Sequence, residues 1–175
     1  MKRFWAGMLA ALAALAVLLT ACGGQTAQQT VSQGLGIDAS GGEVVSGEDS
    51  HGGFHGDGTT CVILQFEDGA IEEQIKESRD WKAFPLEETV RALVYGVTRT
   101  NEDGSVTESI GPYLTDEEGE PLVPEIEEGY YRLIDRQAEE GKATGADILH
   151  RASLNFTVGL YDIEKGILYF CELDT

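Results

Sequence analysis

The sequence predicts an α+β domain, with a mainly antiparallel sheet, one principal helix on one face and a C-terminal β-hairpin. Three patterns carry this expectation. Near the end of the chain Leu154, Phe156, Val158 and Leu160 alternate with Asn155, Thr157 and Gly159, the period of two that a strand imposes. Asp162-Ile163-Glu164-Lys165-Gly166 then turns the chain, and Ile167-Leu168-Tyr169-Phe170-Cys171 returns as the hairpin partner. Upstream, Ile71 and Ile75 lie one helical turn apart, with Glu72, Glu73, Lys76 and Glu77 pointing outward. Residues 59–66 are β-branched and apolar on both faces, as in a central strand. Strands and an amphipathic helix of this kind must bury their apolar sides against one another, which gives a layered α+β domain.

The remaining elements follow in order. Glu67-Asp68-Gly69 breaks the strand of residues 59–66, the helix spans residues 70–80, and Pro85 separates it from what comes next. Residues 86–95 fit two patterns, a helical stripe of Leu86, Val90, Leu93 and Val94 or a strand alternation of Val90, Ala92 and Val94. The turn signal Asn101-Glu102-Asp103-Gly104 selects a strand over residues 89–99, with residues 106–110 as its hairpin partner. Residues 116–128 are acidic and proline-bearing, a loop, and residues 130–135 form another strand. Residues 137–149 read as a loop with a short helical turn.

The beginning of the chain reads differently. Lys2 and Arg3, an apolar run over residues 4–19 and small residues after it are the three parts of a secretory signal. The run is shorter than the roughly 20 residues of a full membrane span. Leu19-Thr20-Ala21-Cys22 resembles the lipobox of bacterial lipoproteins. That resemblance implies cleavage after Ala21 and a diacylglycerol thioether on Cys22, with acyl chains such as palmitate holding the protein at the outer face of the cytoplasmic membrane. The expected organisation is a signal peptide over 1–21, a flexible glycine-rich tether over 22–50 and a single α+β domain over 51–175. As a coil, the tether would reach on the order of 30 Å. Within it, Gly34-Leu35-Gly36-Ile37-Asp38-Ala39 fits a degenerate dinucleotide fingerprint, but it follows no predicted strand and opens no predicted helix.

Charge narrows the classes of partner. The chain carries a net charge of −19, and loss of Lys2 and Arg3 with the signal would make the remainder more acidic still. Such a surface disfavours nucleic acid and flat contact with an anionic bilayer. It permits a cationic peptide, protein or envelope component, a polyamine or a metal ion, and it also confers solubility. Apart from Cys22, the cysteines are Cys61 and Cys171, both in apolar strands. Outside the membrane a disulfide between them is allowed, and free buried thiols are the other reading.

Asp49-Ser50-His51-Gly52-Gly53-Phe54-His55-Gly56-Asp57-Gly58 is the most unusual segment. Asp49, His51, His55 and Asp57 share parity, and imidazole with carboxylate suits zinc or a similar divalent ion if the glycines fold the segment together. The alternative is a glycine-rich lead-in whose histidines face solvent. No enzymatic motif completes itself. His51-Gly52-Gly53 has no Gly-x-Ser-x-Gly partner, and neither a phosphate loop nor a His-Glu-x-x-His helix is present, so no catalytic residue is assigned. Tyr130, Tyr131, Tyr161, Tyr169, Phe156 and Phe170 form either an aromatic surface or core and cross-strand pairs.

His51-Gly52-Gly53-Phe54-His55-Gly56-Asp57-Gly58, Trp81-Lys82-x-x-Pro85-Leu86, Gly129-Tyr130-Tyr131 with Ile134-Asp135-Arg136, Asn155-Phe156-Thr157 and Tyr169-x-Cys171-x-x-Asp174-Thr175 together resemble an uncharacterised group of small extracytoplasmic proteins of Gram-positive bacteria. The resemblance implies a single domain at a Gram-positive cell surface and assigns no activity, ligand or site residue. Three functional expectations remain: a non-enzymatic binding or interaction module, a divalent-metal-binding protein using residues 49–58, and a hydrolase of cell-wall or glycan substrates.

Overall fold

The computed structural model describes residues 25–52, 56–67, 69–138 and 146–175. In chain order these contain α1 (Ala27–Leu35), β1 (Glu43–Asp49), β2 (Gly58–Gln65), α2 (Ala70–Glu77), β3 (Lys82–Ala83), α3 (Glu88–Val94), β4 (Val97–Thr100), β5 (Val106–Ile110), β6 (Gly129–Asp135), a 3-10 turn (Ala146–His150), β7 (Asn155–Asp162) and β8 (Ile167–Asp174). Six strands make one antiparallel sheet in the order β1-β2-β8-β7-β6-β3, and β4 pairs with β5 as a separate hairpin. The α+β class, the antiparallel sheet and the C-terminal hairpin are as the patterns predict. Asp162 holds the hairpin turn, accepting hydrogen bonds from the Lys165 backbone N–H and Nζ, both at 3.0 Å, before Gly166 adopts φ 64°.

The sheet is covered on both faces. Cys61, Tyr131, Phe156, Val158, Leu160, Tyr169 and Cys171 pack with Val90, Leu93 and Val94 of α3, and with Leu114, Val123 and Ile148. On the opposite face Val62, Leu64, Tyr161, Leu168 and Phe170 pack against Val31 and Leu35 of α1, Ile71 and Ile75 of α2, and Trp81. Two-sided burial explains why residues 59–66 and 167–171 read as near-continuous apolar runs. It also places Thr157, an outward position in the alternation, at 2 % exposure. Of the six aromatic residues, Phe156, Phe170, Tyr131, Tyr161 and Tyr169 are buried in the core, and Tyr130 is half-buried against it.

Two expectations are corrected. Residues 25–50 are no flexible tether, and the folded unit does not begin at residue 51. Thr26 and Gln29 form a reciprocal capping box, with Thr26 Oγ1 accepting from the Gln29 N–H at 3.2 Å and Gln29 Oε1 from the Thr26 N–H at 2.9 Å. Gly36 ends α1 in the left-handed conformation at φ 60°, and Arg132 donates to the Leu35 carbonyl. Val31 and Leu35, one turn apart, are fully buried. The helix sits so close to the sheet that a Cβ on Gly34 would lie 2.5 Å from the Phe170 ring, and one on Gly159 would lie 2.8 Å from Leu35 and Trp81. The dinucleotide-like glycines therefore close a helix instead of opening one.

Nor do residues 89–99 form a single strand. Residues 88–94 form α3, and the strand starts only at Val97. The helical stripe of Val90, Leu93 and Val94 wins because it buries all three side chains on the sheet, and Gly96 at φ 79° ends the helix before β4. The turn at residues 101–104 does join β4 to residues 106–110 as a hairpin, as predicted, but it fixes only where β4 ends and not where it begins.

Replacing Leu35 by Ala should cost about 2–5 kcal/mol of unfolding free energy, the range for emptying a fully buried leucine site. Urea denaturation of the wild type and the variant measures this. A change below about 0.5 kcal/mol, typical of an exposed surface position, would contradict the packing of α1.

Candidate functional site

Directly after β1, one imidazole organises a cluster of side chains from β1, β2 and β8. Asp49 Oδ1 accepts from the His51 backbone N–H at 2.9 Å and lies 2.7 Å from His51 Nδ1, a turn that the short aspartate side chain closes on its own backbone. His51 Nε2 lies 3.1 Å from Asp174 Oδ2 at the end of β8. Thr60 Oγ1 approaches Nδ1 at 3.2 Å. Gly58 makes this arrangement fit, since a Cβ there would lie 2.5 Å from His51 Cα. Asp174 is held in turn by Arg136 at 2.6 Å, which also binds Glu172 at 2.8 Å and the Thr157 hydroxyl at 2.6 Å. The network thus links the β1–β2 connection to the C-terminal strand and to the end of β6.

Electrostatics determine what the histidine can do. Burial draws the imidazole toward its neutral form, but the hydrogen bonds and charges of Asp49 and Asp174 outweigh it and raise the pKa above the ordinary histidine value. Asp49 is held below the usual carboxylate range, first by the His51 backbone N–H. Thr60, His51 and Asp174 align as hydroxyl, imidazole and carboxylate. However, each ring nitrogen already faces a carboxylate, so the protonated ring is the form that satisfies both, and in that form it has no lone pair to take a proton from Thr60. The arrangement is an electrostatic clasp.

Of the four residues read as metal ligands, the structure brings Asp49 and His51 together. Asp57 is exposed, and His55 lies outside the described residues, as does Cys22. Asp174, the third member of the cluster, was not legible as one because it comes from the far end of the chain. Among the described residues, no group of three or more His, Cys, Asp or Glu side chains is arranged to hold a metal ion. Cys61 and Cys171 stand directly opposite each other across β2 and β8 as free thiols, with sulfurs 3.1 Å apart.

Beside the clasp, on the α3 face of the sheet, lies an open groove of about 670 Å³. One wall comes from Glu48, Asp49 and Ser50 with Thr59 and Cys61, the other from residues 115–118 and Leu122. Half of the lining residues are acidic, and none is lysine or arginine. The second wall is preformed. Asp116 Oδ1 accepts from the backbone N–H of Glu118 at 3.0 Å and of Glu120 at 2.9 Å, while Thr115 and Pro121 pair as an isolated bridge. The sequence marks this stretch as an acidic loop, but nothing in it shows that the loop faces the end of β1. No family model matches the chain, and no curated protein or solved structure was found similar to it. Among the described residues, no helix is long and apolar enough to cross a membrane.

The clasp should make stability depend on pH with a definite sign. A histidine whose folded pKa lies above its unfolded value, about 6.5, stabilises the fold fully below that pH. The contribution is lost as pH rises through the folded pKa. The stability difference between wild type and His51→Gln should therefore be largest near pH 6 and shrink toward about pH 9, as measured by denaturant titration across that range. A difference that grows with pH would refute the clasp.

Proposed function

We propose that this chain is a lipid-anchored, extracytoplasmic binding module whose acidic groove takes a basic peptide segment of a protein or envelope component. The observation that supports this reading is the groove itself, with two walls of carboxylates and no lysine or arginine in its lining. Among the described residues, four arginines pair with carboxylates away from the groove. Arg132 pairs with Asp80, Arg136 with Glu172 and Asp174, Arg151 with Asp135 and Asp147, and Arg99 with Glu88 and Glu108. The groove therefore keeps a negative field that attracts lysine- or arginine-rich chains. Anchoring through Cys22 rests on the lipobox resemblance. Since α1 begins at Ala27, only residues 23–26 would separate the lipid from the folded domain, far less than a tether running to residue 50.

A pentalysine peptide titrated calorimetrically into the protein should bind, and binding should weaken as salt is raised. At about 0.2–1 kcal/mol per exposed ion pair, the Glu48→Gln, Glu117→Gln, Glu118→Gln triple variant should lose roughly tenfold in affinity. Equal affinity in the two proteins would reject the groove as the binding surface.

The closeness of Asp49 and His51, two of the four residues expected as ligands, favours a second reading, a divalent metal site that further ligands beyond this pair would have to complete. Metal analysis of the zinc-equilibrated protein beside the His51→Ala, His55→Ala double variant decides it. Stoichiometric zinc in the wild type alone supports the reading, and equal, negligible zinc in both removes it.

A further inference from the structure

Cys61 and Cys171 have no role in the groove's proposed binding, yet their placement is specific. They are register partners in adjacent antiparallel strands, so their side chains leave the same face of the sheet. Directly opposite residues in such a pair have Cα atoms about 4.5–5.5 Å apart. That lies within the roughly 4.4–6.8 Å a disulfide spans. The two thiols differ in access. Cys171 is 0 % exposed, between Cys61 on β2 and Val158 on β7, whereas Cys61 is 6 % exposed and lines the acidic groove.

We propose that Cys61 and Cys171 form a redox-active dithiol entered from the groove, in which Cys61 meets an incoming disulfide of cationic character and Cys171 resolves the adduct. Cys61 gives its proton to solvent, and its thiolate attacks one sulfur of the incoming disulfide. A mixed disulfide forms, and the departing thiolate takes up a proton. Cys171 then gives up its own proton, and its sulfur attacks Cys61 Sγ, releasing the second carrier thiol. Two protein S–H groups become one cross-strand S–S bond, the carrier disulfide becomes two thiols, and two electrons pass from protein to carrier. The order of attack agrees with the thiols' acidities. The hydrogen bond from Cys171 holds Cys61 below the usual thiol range, while Cys61 and complete burial hold Cys171 well above it. The cationic preference follows from the carboxylates around the entrance, which repel an anionic disulfide. The inference stands apart from what the groove binds, because it needs only the entrance, its charge and the paired thiols.

The test uses cystamine as a cationic disulfide and oxidised glutathione as an anionic one. Cystamine should remove both free thiols from the native wild type, with mass spectrometry showing a Cys61–Cys171 cross-link. The Cys171→Ser variant should stop at a cystamine adduct on Cys61, with Cys171→Ala as a second check should serine disturb the buried site. The adduct should form at least tenfold faster than with oxidised glutathione at low salt, and the gap should narrow at high salt. The inference is overturned if both thiols survive cystamine in the native protein, if Cys61→Ser traps an adduct on Cys171 as readily, or if the two disulfides react at equal rates.

Discussion

Burial of the central sheet on both sides is the constraint from which the rest of the structure follows. β2, β8 and β7 carry large apolar side chains in both directions, including Leu64, Phe170 and Leu168 on one face and Phe156, Val158 and Leu160 on the other. Neither face can be left to water, since each exposed side chain of this size would forfeit about 1.5–3 kcal/mol. The chain supplies a cover for each. α1, α2 and Trp81 close one face, while α3, the 3-10 turn and the long connection from β5 to β6 close the other. The connection that closes the second face also brings residues 115–118 opposite β1 and so creates the groove.

The same constraint gives the N-terminal segment its place. Once α1 is clamped onto Phe170 and Gly159, the chain must turn at Gly36 and run along the sheet edge as β1. β1 ends at Asp49, where the clasp begins. His51 then ties this edge to Asp174, and Arg136 carries the tie to β6. Folding places the acidic wall of β1, the paired cysteines and the clasp within one corner of the molecule, although they come from opposite ends of the chain. Ion pairs engage Arg99, Arg132, Arg136 and Arg151, and the carboxylates of the groove set the field of that corner.

How far the sequence reveals this depends on the range of each signal. The β7–β8 hairpin and β2 were readable because alternation and apolar runs are local. α2 was readable because Ile71 and Ile75 define one stripe. α1 escaped because the glycines around it suggested a coil. Its capping box at Thr26 and Gln29 and the spacing of Val31 and Leu35 were nevertheless present, and a search for caps before composition would have found them. α3 was misassigned because Val90, Ala92 and Val94 satisfy a strand as well as a helix, and only the tertiary surface offered by the sheet decides between them. In the site, Asp49 and His51 were recognisable as chemical groups. Asp174, Arg136 and the facing loop at 115–118 were not, because their convergence depends on strand order, and strand order leaves no local trace.

α1 is an integral cover of the sheet, without which β1, the groove and the clasp lose their support. Amide hydrogen exchange over residues 27–35 of the folded protein tests this most directly. Protection in the helix should approach that of β7 and β8, because α1 can open only when the core opens. Exchange of those amides at free-chain rates, alongside a protected sheet, would contradict it.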